Sequence, residues 1–173
     1  SLKKKNRIMN SKEFLFSVMA MMIVSFSSAQ EIKKVKITEV EKIINESTGP
    51  LIINIWATWC GPCVEELPYF LEEYKGHKED GLQLFLVSLD FEDAYPEKIE
   101  KFMSRRKIKA PVLWLNETNA DYFCPKIDPR WSGVIPASVF INNTTGYRSF
   151  FEGQMSHKEL KKEIMAILEK KKN

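Results

Sequence analysis

The stretch Leu51-Ile-Ile-Asn-Ile-Trp-Ala-Thr-Trp-Cys-Gly-Pro-Cys63 decides the fold of this 173-residue chain. Its first six residues are apolar except for Asn54, a composition that suits a strand covered on both faces. After Cys63, apolar residues recur every three or four positions as far as Tyr74, which predicts a helix. The sequence therefore predicts a buried central strand that leads directly into a helix, with both cysteines in the first turn of that helix.

Two cysteines at the start of a helix can carry out thiol–disulfide exchange. A cysteine attacks a disulfide only as the thiolate, and the free N–H groups and positive dipole of a helix start favour negative charge. We therefore predict that Cys60 is the nucleophile and that Cys63 resolves the mixed disulfide. Gly61 and Pro62 fit this geometry, because a proline in the first turn lacks only a donor that would have no partner anyway.

A zinc site and a purely structural disulfide are the other uses of such a cysteine pair. The rest of the chain offers Cys124, His77 and His157 singly, without paired ligand spacing, so we expect no metal. A disulfide that closes so small a loop would constrain the unfolded chain little, which disfavours a purely structural role. Exchange chemistry remains the preferred interpretation, with the Cys60–Cys63 disulfide as redox group and no other cofactor.

Residues 1–29 have the order of a secretory signal. Five basic residues accompany an apolar run over residues 14–26, and Ser27, Ser28 and Ala29 follow. The run is shorter than the roughly 20 residues of a comfortable membrane span. We predict cleavage after Ala29 and a periplasmic or other extracytoplasmic location, with an uncleaved membrane anchor as the alternative. One domain over residues 30–173 would then remain.

Charge gives little sign of a nucleic-acid partner. The chain has 26 basic and 23 acidic side chains. Residues 1–29 contain five of the basic side chains and one of the acidic side chains. The remaining chain is therefore close to neutral, without the basic excess of a nucleic-acid binder.

The rest of the chain alternates between predicted strands and helices, which is typical of an α/β domain. A capping-box pattern at Thr38 and Glu41 predicts the first helix, and a second such pattern at Ser156 and Glu159 predicts the last. Residues 116–133 show no regular pattern and are predicted to be irregular. The other predicted elements are helix 97–106 and strands 82–89, 112–115, 137–141 and 147–151, the last two forming a hairpin.

The run Asn54-Ile-Trp-Ala-Thr-Trp-Cys-Gly-Pro-Cys63, with Pro68 and with Ile135-Pro136 before a predicted strand, resembles the thioredoxin superfamily and especially its exported TlpA-like branch. The resemblance covers residues 35–170. It implies a thioredoxin-like α/β fold with a central mixed sheet and helices on both faces. It also implies a thiol-disulfide oxidoreductase whose Pro136 is cis and lies against the cysteine pair.

The resemblance extends to residues that support the cysteines. Thioredoxin carries a buried Asp at the position of Asn54, and an amide cannot accept or donate the proton during exchange. Glu66 matches a glutamate associated with the site in TlpA-like proteins, although a solvated carboxylate on a helix surface is the alternative. Trp59, Gly61 and Pro62 complete the motif. A peroxidatic role is not expected, because the Pro-x-x-x-Thr/Ser-x-x frame of peroxiredoxins does not precede Cys60.

The motif does not set the direction of electron flow. Gly-Pro between the cysteines, as in thioredoxin, favours a reductant of exported protein disulfides. Members of the family that it resembles reduce apocytochrome or other exported protein thiols. Because no G-x-G-x-x-G motif is present to hold NADPH or flavin, a membrane electron donor is expected. The alternatives are an exported oxidase or isomerase, and a non-catalytic binding or chaperone domain.

Cys124 departs from the pattern of a single cysteine pair. It lies in the segment 116–133, which leads to Pro136, so that segment is expected at the rim of the active site, where Cys124 could help to select the substrate. The preferred interpretation is a free, partly buried cysteine that acts as a small hydrophobic residue.

Overall fold

The computed structural model describes residues 32–169 of the chain. The predicted leader over residues 1–29 lies outside these residues, and so does the alternative of an uncleaved anchor. Within residues 32–169, no helix combines the length and the apolar character that a membrane span requires.

The elements follow one another along the chain largely as the sequence predicts. Strands β1 to β6 comprise Lys33–Val35, Leu51–Trp56, Gln83–Ser88, Val112–Leu115, Ala137–Asn142 and Tyr147–Glu152. Helices α1 to α5 comprise Ile37–Glu46, Gly61–Gly76, Glu97–Arg106, Ala120–Ile127 and His157–Leu168. A short 3-10 helix, Glu92–Ala94, precedes α3.

The described strands form one mixed sheet in the order β1-β4-β3-β2-β5-β6. Strands β1, β4, β3 and β2 run parallel, whereas β5 pairs antiparallel with both β2 and β6. Every residue of β2 is buried, as expected for a strand with neighbours on both edges and helices on both faces. The predicted thioredoxin-like fold is confirmed.

Two hydrophobic clusters lie on opposite faces of the sheet. One cluster contains residues of α2, α3 and α5, and the other contains residues of α1 and α4. Because side chains alternate along a strand, Ile52 and Trp56 of β2 join the first cluster, and Ile53 and Ile55 join the second. Asn54 therefore faces the side of the sheet that α2 covers.

The structure differs from the sequence-based description in three places. The segment 116–133 contains helix α4, whose buried residues Phe123, Cys124 and Ile127 pack into the second cluster. Strand β1 was missed because a three-residue edge strand leaves no periodic pattern. Helix α1 begins before Thr38, because the Lys36 N–H donates to Glu39 Oε2 at 3.0 Å and this pair takes the place of the predicted cap. The second predicted capping box is present: Ser156 Oγ accepts from the Glu159 N–H at 3.3 Å.

Candidate active site

The cysteine pair lies where β2 ends and α2 begins. Cys60 has extended backbone angles and caps α2, and its Sγ accepts from the Cys63 N–H at 3.3 Å. The two cysteines form a disulfide, with their Cα atoms 5.3 Å apart. Cys60 retains 6% of its surface, whereas Cys63 is completely buried. A sulfur at this position receives a backbone N–H and the positive end of the helix dipole, as thiolate chemistry requires.

Gly61 and Pro62 form the exposed first turn of α2. No atom lies within 4 Å of the place where a Cβ of Gly61 would stand, so this position imposes no steric demand for glycine. Trp59 is 57% exposed and stacks on Phe91, with the ring centroids 5.8 Å apart. The sequence did not single out Phe91, which is 69% exposed. The two rings form an exposed aromatic surface beside Cys60.

Pro136 lies at the start of β5, next to the central strand. The Ile135–Pro136 peptide bond is cis, as the resemblance predicts. The antiparallel register pairs Ile55 of β2 with Ala137, so Pro136 lies level with Trp56, the last residue before the cysteine loop. The fold thus places Pro136 at the same end of the sheet as the cysteines.

Asn54 and Glu66 form a buried hydrogen-bonded pair behind the cysteines. Both side chains are completely buried, so the surface alternative for Glu66 was wrong, whereas the neighbouring Glu65 is exposed. Asn54 Nδ2 donates to Glu66 Oε1 at 2.9 Å and to Ser138 Oγ at 3.1 Å. The Met155 N–H donates to Glu66 Oε2 at 2.8 Å. Both carboxyl oxygens therefore have donors, although the donors are neutral.

Burial raises the pKa of Glu66 to about 7. Loss of hydration penalises the charged carboxylate, and the hydrogen bonds from Met155 and Asn54 offset only part of this penalty. An acid with such a pKa exchanges its proton near neutral pH. It lies one helical turn beyond Cys63, on a helix where residues three apart share a face.

Asp90 is a site residue that the sequence reasoning missed. Its buried carboxylate accepts from the Thr58 N–H, from Thr58 Oγ1 at 2.5 Å and from Ser88 Oγ at 2.7 Å. Thr58 lies two residues before Cys60, so Asp90 fixes the loop that carries Cys60. An acidic residue directly after a predicted buried parallel strand was the available signal, since such strand ends commonly form sites.

Replacing Asp90 with asparagine is expected to lower the free energy of unfolding by about 1–2 kcal/mol, because one of its two acceptor oxygens becomes an amide donor. Urea denaturation at pH 7 measures this change. Asp121 is an exposed carboxylate of α4, so its replacement with asparagine is the matched control and should change stability by less than about 0.5 kcal/mol. Equal effects of the two substitutions would contradict the role given to Asp90.

Cys124 lies away from the disulfide, in the hydrophobic cluster on the opposite face of the sheet. It is a free thiol and is buried. Burial raises its pKa to about 11, and the nearby carboxylates of Asp121 and Glu152 add to the effect. A thiol of this kind forms little thiolate at neutral pH, which fits the preferred interpretation as a small hydrophobic residue.

A groove of about 500 Å³ opens beside the cysteine loop. Trp59 and Phe91 line it together with Trp114, Phe123 and Ile135. The side chains of Phe123 and Ile135 come from α4 and from the residue before Pro136. The segment 116–133 thus reaches the rim of the site, as predicted, although it does so through a helix.

A sequence profile of the AhpC/TSA family matches residues 22–145, which is most of the chain. The chain belongs to the AhpC/TSA family.

Two curated relatives of this AhpC/TSA member are thiol-disulfide oxidoreductases by name. The thiol-disulfide oxidoreductase ResA of Oceanobacillus iheyensis is 28% identical over 64% of this chain and 66% of its own length. The sporulation thiol-disulfide oxidoreductase A of Bacillus subtilis is 32% identical over 36% of this chain and 38% of its own. The chain thus spans less than two thirds of either relative.

Solved structures show the same architecture. A thioredoxin-related protein of Neisseria meningitidis serogroup B is 27% identical with a TM-score of 0.59, and the match covers 70% of this chain and 86% of that one. StoA of Bacillus subtilis is 25% identical with a TM-score of 0.51, and the match covers 69% of this chain and 85% of StoA.

Proposed function

We propose that this chain is an exported thiol-disulfide oxidoreductase that reduces protein disulfides through Cys60 and Cys63. The observation that carries the proposal is the disulfide at the start of α2, in which Cys60 retains some exposed surface and Cys63 retains none. The names of the two curated relatives support the reaction class. The signal-like order of residues 1–29 supports export.

Exchange proceeds in two displacements. The Cys60 thiolate attacks one sulfur of a substrate disulfide, the substrate S–S bond breaks, and a Cys60–substrate mixed disulfide forms. Cys63, deprotonated, then attacks Cys60 Sγ and releases the second substrate sulfur as a thiolate. Two electrons have passed to the substrate, and the Cys60–Cys63 disulfide has re-formed. A membrane electron donor then reduces this disulfide and completes the cycle.

Cys63 needs a proton acceptor, because its thiol is buried and must ionise before the second displacement. Asn54 cannot serve, since an amide does not titrate in this range. Glu66 is buried one turn further along α2, and its pKa of about 7 suits proton uptake at neutral pH. We assign Glu66 as the acid–base group of the buried half of the site.

A protein substrate fits the surface beside Cys60. The stacked rings of Trp59 and Phe91 expose apolar area next to the groove, and the exposed Glu92 adds an acidic side chain to its lining. An extended peptide with apolar and basic side chains near its cysteine would complement both the apolar rings and the acidic lining of the groove.

A redox titration of the full chain against dithiothreitol and glutathione, followed by Trp59 fluorescence, tests the direction of electron flow. A reductant should have a potential near that of thioredoxin, about −270 mV, and a potential well above about −180 mV would identify an oxidase or isomerase instead. If the Cys60–Cys63 disulfide shows no reversible transition to the dithiol, exchange chemistry in either direction is contradicted.

A further inference from the structure

The side-chain amide of Asn54 uses only its nitrogen in the hydrogen bonds around Glu66. Its Nδ2 atom donates to Glu66 Oε1 at 2.9 Å and to Ser138 Oγ at 3.1 Å. Its Oδ1 atom is buried and has no hydrogen-bond partner among residues 32–169. A buried acceptor without a partner costs free energy, so this orientation needs a reason. An ionised Glu66 supplies one, because a carboxylate only accepts and the amide must donate to it.

Both partners of the Asn54 amide can change between accepting and donating. A protonated carboxyl group donates through its O–H, and a serine hydroxyl rotates to donate or to accept. Ser138 lies directly opposite Asn54 in the pairing of β5 with β2, so its hydroxyl stays beside the amide in either role. Within the described part of the chain, no backbone group hydrogen-bonds to this amide. The direction of both hydrogen bonds is therefore free to reverse.

Asn142 shows the fixed arrangement of the same side chain. Its Nδ2 atom donates to the Ile167 carbonyl at 2.7 Å, and its Oδ1 atom accepts from the Thr144 and Thr145 N–H groups at 3.1 and 3.3 Å. These backbone groups keep their roles at every pH, so rotation of the Asn142 amide would break all three hydrogen bonds. Asn54 and Asn142 are both buried, and they differ in whether their partners can change role.

We propose that Asn54 is a positioning residue whose amide turns over each time Glu66 gains or loses its proton. With Glu66 ionised, Nδ2 donates to the carboxylate and to Ser138, which is the arrangement described above. With Glu66 protonated on Oε1, the amide oxygen takes the place of Nδ2 and accepts from the Glu66 O–H and the Ser138 O–H. The oxygen and the NH₂ group of an amide are nearly equal in size, and the terminal torsion of asparagine is broad, so the turn requires no repacking.

The rotation keeps the Glu66 proton exchangeable during the proposed reaction. In the second displacement the Cys63 thiol loses a proton and the Glu66 carboxylate gains it, and no electrons move in this transfer. The amide gives a hydrogen bond to Glu66 before the transfer and accepts one from it afterwards, so neither form loses its partner. A carboxyl group at position 54 would not do this, because two adjacent carboxyl groups do not ionise together readily. This catalytic consequence rests on the proposed function, whereas the rotation itself does not.

The elements packed around Glu66 present no other group that would control its proton. Burial raises the pKa of Glu66, and the hydrogen bonds from Met155 and Asn54 lower it, with no contribution from a charged side chain of the described residues. Titratable side chains of α2 and α5 in this region have other partners: Cys60 for Cys63, Gln154 for Glu65, and Glu73 for both His157 and Lys161. The Met155 N–H donates in both states, so the Asn54 amide is the partner that responds to the proton.

Nuclear magnetic resonance of the isotope-labelled full chain, with the active-site disulfide intact, tests the rotation without any variant. At pH 9 the Asn54 NH₂ hydrogens should show nuclear Overhauser effects to the Ser138 methylene hydrogens. At pH 5 these effects should be lost, with the same midpoint as the titration of the Glu66 carboxyl carbon. The Asn142 NH₂ group is the internal control and should keep its effects at both pH values. Asn54 effects that persist unchanged, or a Glu66 carbon that does not titrate in this range, would overturn the proposal.

Kinetics of the Asn54→Leu variant test the positioning role. Release of reduced substrate from the Cys60 mixed disulfide should slow by about 10-fold. The midpoint of its pH profile should rise, because a hydrogen bond to the Glu66 carboxylate is stronger than one to the neutral acid. Asn45→Leu removes an exposed amide of α1 and, as the matched control, should change neither quantity. A wild-type rate and midpoint in Asn54→Leu would overturn the positioning role. A wild-type chain that shows the rotation but no exchange would instead contradict the proposed function alone.

Discussion

Cys60→Ser is expected to abolish the reduction of insulin disulfides, lowering the rate by at least about a thousandfold. Serine keeps the size of the side chain but provides no thiolate at neutral pH, so the first displacement cannot begin. The turbidity of reduced insulin in the presence of dithiothreitol measures the rate.

Two further cysteine variants separate the roles within the site. Cys63→Ser should accumulate the Cys60–substrate mixed disulfide, visible by mass spectrometry under non-reducing conditions, because nothing resolves it. Cys124→Ala is the matched control and should keep the wild-type rate, since this thiol is buried in the other hydrophobic cluster. Undiminished activity of Cys60→Ser would remove Cys60 as the nucleophile and would favour a non-catalytic binding domain.

Glu66→Gln is expected to remove a pH dependence of stability worth about 3 kcal/mol. The pKa of Glu66 rises from an ordinary value of 4.5 to about 7 on folding, and each tenfold change in proton affinity corresponds to about 1.4 kcal/mol. Below pH 4.5 the carboxyl group is protonated in both folded and unfolded chains and costs nothing. Between pH 4.5 and about 7 the unfolded chain releases this proton while the folded protein retains it, so stability falls over that window and levels off above it. Glutamine has no such ionisation.

The measurement is the free energy of unfolding in urea at pH 4.5, 6 and 8, with the Cys60–Cys63 disulfide kept oxidised so that the cysteines do not titrate. The difference in the free energy of unfolding between wild type and Glu66→Gln should change by about 3 kcal/mol from pH 4.5 to pH 8. The variant should be the relatively more stable protein at high pH. Glu65→Gln, on the exposed neighbour, should follow the wild-type curve. Parallel curves for wild type and Glu66→Gln would show that Glu66 has an ordinary pKa.

Local patterns in the sequence predicted the centre of the molecule. Strand β2 and the start of α2 follow from an apolar run and a helix period, and the resemblance pointed to Glu66. The completely buried state of Glu66 could not be predicted, because its carboxylate accepts from the Met155 N–H, which lies in a distant part of the chain, and from Asn54, which also donates to Ser138. Helix α4 was missed because it contains Pro125 and runs for only eight residues.

Contacts between residues far apart in the sequence were the features that the sequence predicted least well. Thr58 and Asp90 are separated by a helix and a strand, and their hydrogen bonds exist only because β2 and β3 are parallel neighbours. The hydrogen bond between His157 and Glu73 exists because α2 packs against α5, which no spacing within the sequence encodes. Such sites depend on topology, and a single sequence does not specify topology at this level of detail.

The position of β2 between β3 and β5 has a consequence for motion. Amide hydrogens of a strand paired on both edges and covered on both faces exchange with solvent only through the largest openings of a fold. Cys60 follows this strand after three residues, so the proposed nucleophile is attached to a segment that is expected to exchange slowly. A rigid attacking group cannot adjust its line of approach to each S–S bond. If the proposed function holds, the substrate must supply the flexibility, and unstructured or locally unfolded chains are the ones that Cys60 would reduce fastest.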